Sequence, residues 1–185
     1  MLIARKIHTY MDENYGENIN RRHFIFGNIK PDIMRKFKTL RHSIHDSLDF
    51  VLGEVTRHAD ERETVKNPSV HLGMINHYLS DFFCSKHYYK ESDEGLIKHI
   101  RYEKRLHKKI KQMEDSGTLG LPYFKAAENT TGNFLDILRS LEEEYSSQPP
   151  SIENDIVFAL CAPLAVCMFL LKHSAIHAEP LKQAA

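Results

Sequence analysis

The longest apolar stretch of the chain, Ile156 to Leu171, is what any fold must accommodate first. It runs for roughly 16 residues, below the ~20 a membrane span needs, and Pro163 interrupts it. Such a run reads as a buried helix rather than a span. No other stretch alternates apolar and polar residues as a half-buried strand does, and 8 Gly and 7 Pro are too few for a turn-rich β-sandwich. At 185 residues the chain suits one domain with a substantial core. The expected class is all-α: a single helical domain over residues 1–185, a bundle of about six to eight helices.

Helical periodicity sets approximate boundaries. Ile3, Ile7, Tyr10 and Met11 share a face, with His8 at its edge. The sequence GNIKPD at 27–32 looks like a turn, with Pro31 at the first position of a following helix and Asp32 in its first turn. That helix is expected to reach about Leu52, and another covers Leu48 to Arg62 or merges with it. A polar break at 60–68 precedes an apolar helix from Val70 to Phe83. Further helices are expected over Glu94 to Met113, capped by Ser92 or Asp93, then Thr131 to Tyr145, and Ile152 to His173. Residues 115–122 read as a loop and 146–150 as a linker.

Lysine plus arginine and aspartate plus glutamate both number 25, so the net charge is zero. A nucleic-acid binder would show a basic excess; none is expected here. Cys84, Cys161 and Cys167 form no CxxC pair, which excludes a Cys-based zinc finger and suits a reducing compartment. The N-terminal segment lacks the apolar core of a secretory signal, so a cytoplasmic location is expected. The anomaly is histidine, with 12 copies. Imidazole is the commonest metal ligand and titrates near neutrality.

Two neighbouring helices carry those ligands in register. His77 and Asp81 are four residues apart, about 40° around a helix, and His87 follows near the helix end. On the next helix His99 and Glu103 are again four apart. Apolar neighbours such as Leu79, Phe82 and Ile100 turn these side chains inward, where a buried acid or imidazole needs a partner. Nitrogen and oxygen donors without cysteine suit zinc at an open catalytic site. An HxxxE pair alone means little, since about one arises by chance, whereas HxxxDxxxxxH has a chance expectation of roughly 0.04 in this chain.

HYLSDFFCSKH, the following HxxxE, and the upstream GNIKPD and RHSIHDS together resemble the bacterial zinc-dependent phospholipases C, from about residue 8 to residue 103. The resemblance implies a helical fold of the phospholipase C and P1 nuclease type with two or three zinc ions in a cleft. It implies that Asp32, His42, His77 and Asp81 surround one zinc. His87, His99 and Glu103 would hold a second, exchangeable one. His8 would join a third with the N-terminal amine, Asp81 bridging two ions. The chain begins closer to that histidine than the secreted enzymes do. Such a centre would hydrolyse a phospholipid or related phosphodiester, with Asp32 as ligand or general base. His45 competes locally with His42. Asp32 also reads as an ordinary helix-opening acid and His8 as a core-edge histidine. The rival functions are an HD-type metal phosphohydrolase built on His45–Asp46, an S1/P1-like nuclease, and a non-catalytic zinc-binding helical protein.

Overall fold

The computed structural model describes residues 2–15, 19–37, 39–59, 65–88, 96–119 and 133–173, without the side chains of 15, 96–99, 172 and 173. Among them are eight α-helices and no strand. They are α1 (Leu2–Tyr15), α2 (Arg21–Ile33), α3 (Ile44–Ala59), α4 (Pro68–Phe82), α5 (Ser85–Tyr88), α6 (Leu96–Asp115), α7 (Phe134–Ser147) and α8 (Ile152–His173). A 3-10 turn at Arg35–Phe37 follows α2.

The most apolar helices lie at the centre. Every residue from 71 to 80 of α4 is buried. Helix α4 packs on α1, α2, α3, α5 and α8, and α8 packs on α1, α3, α4, α6 and α7. Helix α8 extends past the apolar run at both ends. By length and composition it is long and apolar enough to cross a membrane, yet nearly all of that stretch is buried within the fold. Pro163 sits inside it and takes the helical amide from the Ala159 carbonyl. The Ser80 hydroxyl donates to that same carbonyl at 3.2 Å and also to Asn76 at 2.9 Å, so the proline's deficit is met from α4.

Short polar side chains cap the helix starts. Asn20, Asn67 and Asn133 accept backbone amides at the starts of α2, α4 and α7, and the Ser151 hydroxyl accepts the Asn154 amide at the start of α8. The expected start of the second helix was misplaced. Residues 27–32 are not a turn but the last turns of α2, with Pro31 inside the helix and Asp32 near its C-terminal end. The chain then leaves through the 3-10 turn and re-enters a helix only at Ile44, so no helix spans 31–52. Pro31 takes the helical amide from the Gly27 carbonyl, and the helix stops two residues later. The expected caps Ser92 and Asp93, and Thr131, lie outside the described residues.

The reason α2 forms where periodicity was silent is its contact with α4, the most extensive among the described helices. A Cβ on Gly27 would stand 2.0 Å from the Val70 carbonyl oxygen, and one on Gly73 would stand 2.1 Å from that of Phe24. The two backbones touch where neither helix has a side chain. Asn28 Nδ2 donates to the Gly73 carbonyl at 3.1 Å across the same contact.

A second polar clamp joins α3 to α4. Arg57 donates to Glu54 at 2.6 Å, Glu54 meets His71 Nε2, and His71 Nδ1 faces His58 Nδ1 at 3.1 Å. Burial, with His71 beside it, pushes the His58 imidazole down to about 4. Burial also disfavours the Glu54 anion, but His71 and Arg57 outweigh it and hold Glu54 below its ordinary range.

Gly27→Ala or Gly73→Ala is expected to cost at least about 2–3 kcal/mol by backbone overlap. Gly53→Ala, with nothing within 4 Å of its Cβ on α3, is expected to stabilise by about 0.5 kcal/mol. Urea unfolding checks both; a neutral Gly73→Ala would refute the contact.

His58 gives a pH dependence. Its folded value lies below its unfolded one, so the unfolded chain binds the extra proton between about pH 6.5 and pH 4. Stability should therefore fall as pH drops through that window, by on the order of 3 kcal/mol. The Glu54 contribution is lost at still lower pH. Urea titrations of metal-free protein and of His58→Gln should show the slope flattened in the variant, and equal slopes would refute the assignment.

Candidate metal centre

Three elements bring the four ligands together. Asp32 comes from the end of α2, His42 from the segment before α3, and His77 and Asp81 from successive turns of α4. His42 Nδ1 lies 3.0 Å from Asp81 Oδ2 and 3.2 Å from His77 Nε2. His77 Nε2 lies 3.5 Å from Asp81 Oδ2 and 3.6 Å from Asp32 Oδ1, and His42 Nδ1 lies 3.9 Å from Asp32 Oδ1. Ligands at the corners of a zinc tetrahedron, about 2.0–2.1 Å from the ion, are spaced about 3.3–3.4 Å apart. The five separations scatter around that value, and Asp32, His42 and His77 form a group compact enough to hold a metal ion.

Donor chemistry points the same way. Two imidazole nitrogens and two carboxylate oxygens converge, and a neutral imidazole supplies at most one proton to such a meeting. A cation at the centre satisfies all four. Burial would lower the His42 imidazole, but the Asp81 hydrogen bond and the charges of Asp81 and Asp32 raise it overall. Burial would raise the Asp81 carboxyl, yet His77, His42 and His87 hold it well below the usual carboxylate range. The site is built to keep Asp81 ionised beside positive charge. Tyr78 supports both imidazoles from beneath, with ring centroids 5.1 Å from His42 and 5.5 Å from His77, and Phe50 backs it at 5.2 Å.

The cluster forms one wall of a cavity of about 560 Å³. His77 is only 9% exposed, whereas the Asp32 side chain is 56% exposed and opens to the cavity. His87 and Glu103 line the same space, with the His87 ring centroid 6.2 Å from that of His42. His99 is on α6 one turn before Glu103, and its side chain lies outside the described residues. His8 is not brought to the cluster. It is buried on α1, with Nε2 at 2.9 Å from the Ile19 carbonyl oxygen and its ring against Phe24. His45 is exposed on α3, 6.3 Å from the Tyr88 ring, and Asp46 accepts the Ser43 hydroxyl at 2.5 Å. The fold thus brings His42, not His45, to His77.

Further residues complete the lining. Lys104 and His107 stand on α6 beside Glu103, while Leu2, Ile3, Ile29 and Leu106 supply an apolar wall. Cys84, Tyr102 and Asp155 lie deeper. Burial, then the charges of Cys84 and Asp155, raises the Tyr102 phenol far above its ordinary value, so it keeps its proton and donates. An acid in the first turn of a helix, as Asp155 is, looks like dipole compensation in sequence, and nothing marked it further.

A helical bundle with a four-donor His/Asp cluster on an open cavity makes a candidate metal site. The chain belongs to the zinc-dependent phospholipase C family, whose model matches residues 1–148. Comparison with curated proteins and with solved structures finds no match.

Zinc at ~100 times its dissociation constant is expected to stabilise the metal-free protein by about 2.7 kcal/mol. His42→Ala and His77→Ala should lower that gain, read by thermal unfolding with and without zinc. A full gain in both variants would place the ion elsewhere.

Proposed function

We propose that the protein is a zinc-dependent phosphodiester hydrolase acting on a phospholipid or a closely related diester. The observation that supports this most is the set of metal-edge spacings among Asp32, His42, His77 and Asp81 at the wall of an open cavity. In this reading those four residues hold one zinc, and His87, His99 and Glu103 hold a second. His8 does not line the cavity, so no third ion is assigned.

Bound zinc supplies a Lewis acid for the phosphoryl oxygens and lets water act as a nucleophile near neutral pH. The chain's own residues do the rest. Asp32, the most open carboxylate of the cluster, accepts the proton of the attacking water. Lys104, exposed at the cavity edge, attracts the phosphate and neutralises its charge. Leu2, Ile3, Ile29 and Leu106 receive the apolar part of the substrate, which favours a lipid over a nucleotide. Tyr78 and Phe50 keep the imidazoles from rotating away.

The test offers a chromogenic phosphodiester, phospholipid vesicles and single-stranded DNA to the zinc-loaded protein. Turnover of the diester and the lipid is expected, lost with a chelator and restored by zinc. Asp32→Asn is expected to lower kcat by about 10²-fold or more. Folded, zinc-loaded protein that turns over none of the diesters, or turnover indifferent to chelation, would overturn the proposal.

A further inference from the structure

The family match ends at residue 148, yet the deepest polar group of the cavity comes from beyond it. Asp155, in the first turn of α8, is 1% exposed. Its Oδ1 accepts the Tyr145 hydroxyl at 2.6 Å, and its Oδ2 accepts both Ser85 Oγ at 2.9 Å and the Tyr102 hydroxyl. Cys84 Sγ donates in turn to the Tyr102 oxygen at 3.2 Å. A carboxylate buried this far is costly unless its oxygens are satisfied, and hydrogen bonds to an ionised acceptor are about twice as strong as neutral ones. Here α5, α6 and α7 each donate a hydroxyl to it, so one side chain fixes the distance between three helices.

Two of those donors adjoin the second ligand group. Ser85 opens α5, two residues before His87. Tyr102 directly precedes Glu103 on α6, and His99 lies one turn earlier on the same helix. Tyr145 is different: no candidate ligand lies on α7. The carboxylate is thus bonded to both helices that carry His87 and Glu103.

We propose that Asp155 is a positioning residue for the second metal-binding group: through Ser85 and Tyr102, its buried carboxylate sets His87 and Glu103 at the separation one ion requires. This rests on the two-ion reading above. The C-terminal helix is then part of the metal centre as well as the core.

The test measures zinc binding to the full chain by equilibrium dialysis and calorimetry, with circular dichroism as a check on folding. Wild type is expected to bind two ions. Asp155→Asn and Tyr102→Phe should keep the ion at His42 and His77 while weakening the other by about ten-fold or more, the usual effect of losing an outer partner of a metal ligand. Tyr145→Phe removes a hydrogen bond to the same carboxylate from α7, which carries no candidate ligand, and keeps the ring. It should lower stability and leave both zinc affinities unchanged. A purely structural role for Asp155 would make Tyr102→Phe and Tyr145→Phe behave alike, and that result overturns the assignment. So does folded Asp155→Asn with both affinities intact. If Asp155→Asn does not fold, the comparison of the two tyrosine variants decides alone. Wild type that binds fewer than two ions overturns the two-ion reading, and this assignment falls with it.

Discussion

Backbone contact between α2 and α4 at Gly27 and Gly73 is the constraint on which the site depends. Two helices that meet without intervening side chains can slide little, because any shift drives carbonyl oxygens into neighbouring atoms. Asn28 fixes the register with a hydrogen bond to the Gly73 carbonyl. Five residues beyond Gly27 is Asp32, and four beyond Gly73 is His77. The contact therefore delivers a carboxylate and an imidazole from different helices to within 3.6 Å of one another. Directional chemistry is placed by a nondirectional steric fit.

The remaining half of the cavity is organised on another principle. Along the α5, α6 and α8 side, polar bonds do the fixing: Asp155 gathers Ser85, Tyr102 and Tyr145, and Ser80 compensates the carbonyl that Pro163 leaves without an amide. Buried polar groups of this kind are stable only when every donor and acceptor is met, so they tolerate few alternative arrangements. Steric fit holds the wall bearing Asp32, His42, His77 and Asp81, and hydrogen bonding holds the wall bearing His87 and Glu103. If the two walls receive separate ions, their affinities can differ without any change in ligand type.

Burial is also distributed by function. His77 is nearly enclosed while Asp32 is open, so the cluster has a protected side for binding and an accessible side for substrate. Tyr78 and Phe50 keep solvent from the back of the imidazoles. The α3–α4 clamp of Glu54, His58 and His71 stands apart from the cavity lining. It holds α3 and α4 together, which keeps the segment carrying His42 near His77.

Periodicity and apolar content determined much by themselves. The helices from Ile3, from Val70, from the Glu94 region and from Ile152 are where apolar spacing placed them, since local pattern decides which face is buried. The i,i+4 pair of His77 and Asp81 was equally legible, because helix geometry alone puts both on one face. What the sequence hid has a common cause. Helix α2 has weak amphipathicity and ends in Pro31, so its existence, and the position of Asp32 at its end, depend on the glycine contact with α4. Choosing His42 over His45 required knowing how the chain turns after Phe37. Asp155 is remote from every ligand in sequence, and only the packing of α8 against α5, α6 and α7 brings its carboxylate beneath the cavity. Local pattern fixes which residues share a helix face, whereas bringing separate helices to a common point is settled by contacts that have no signature along the chain.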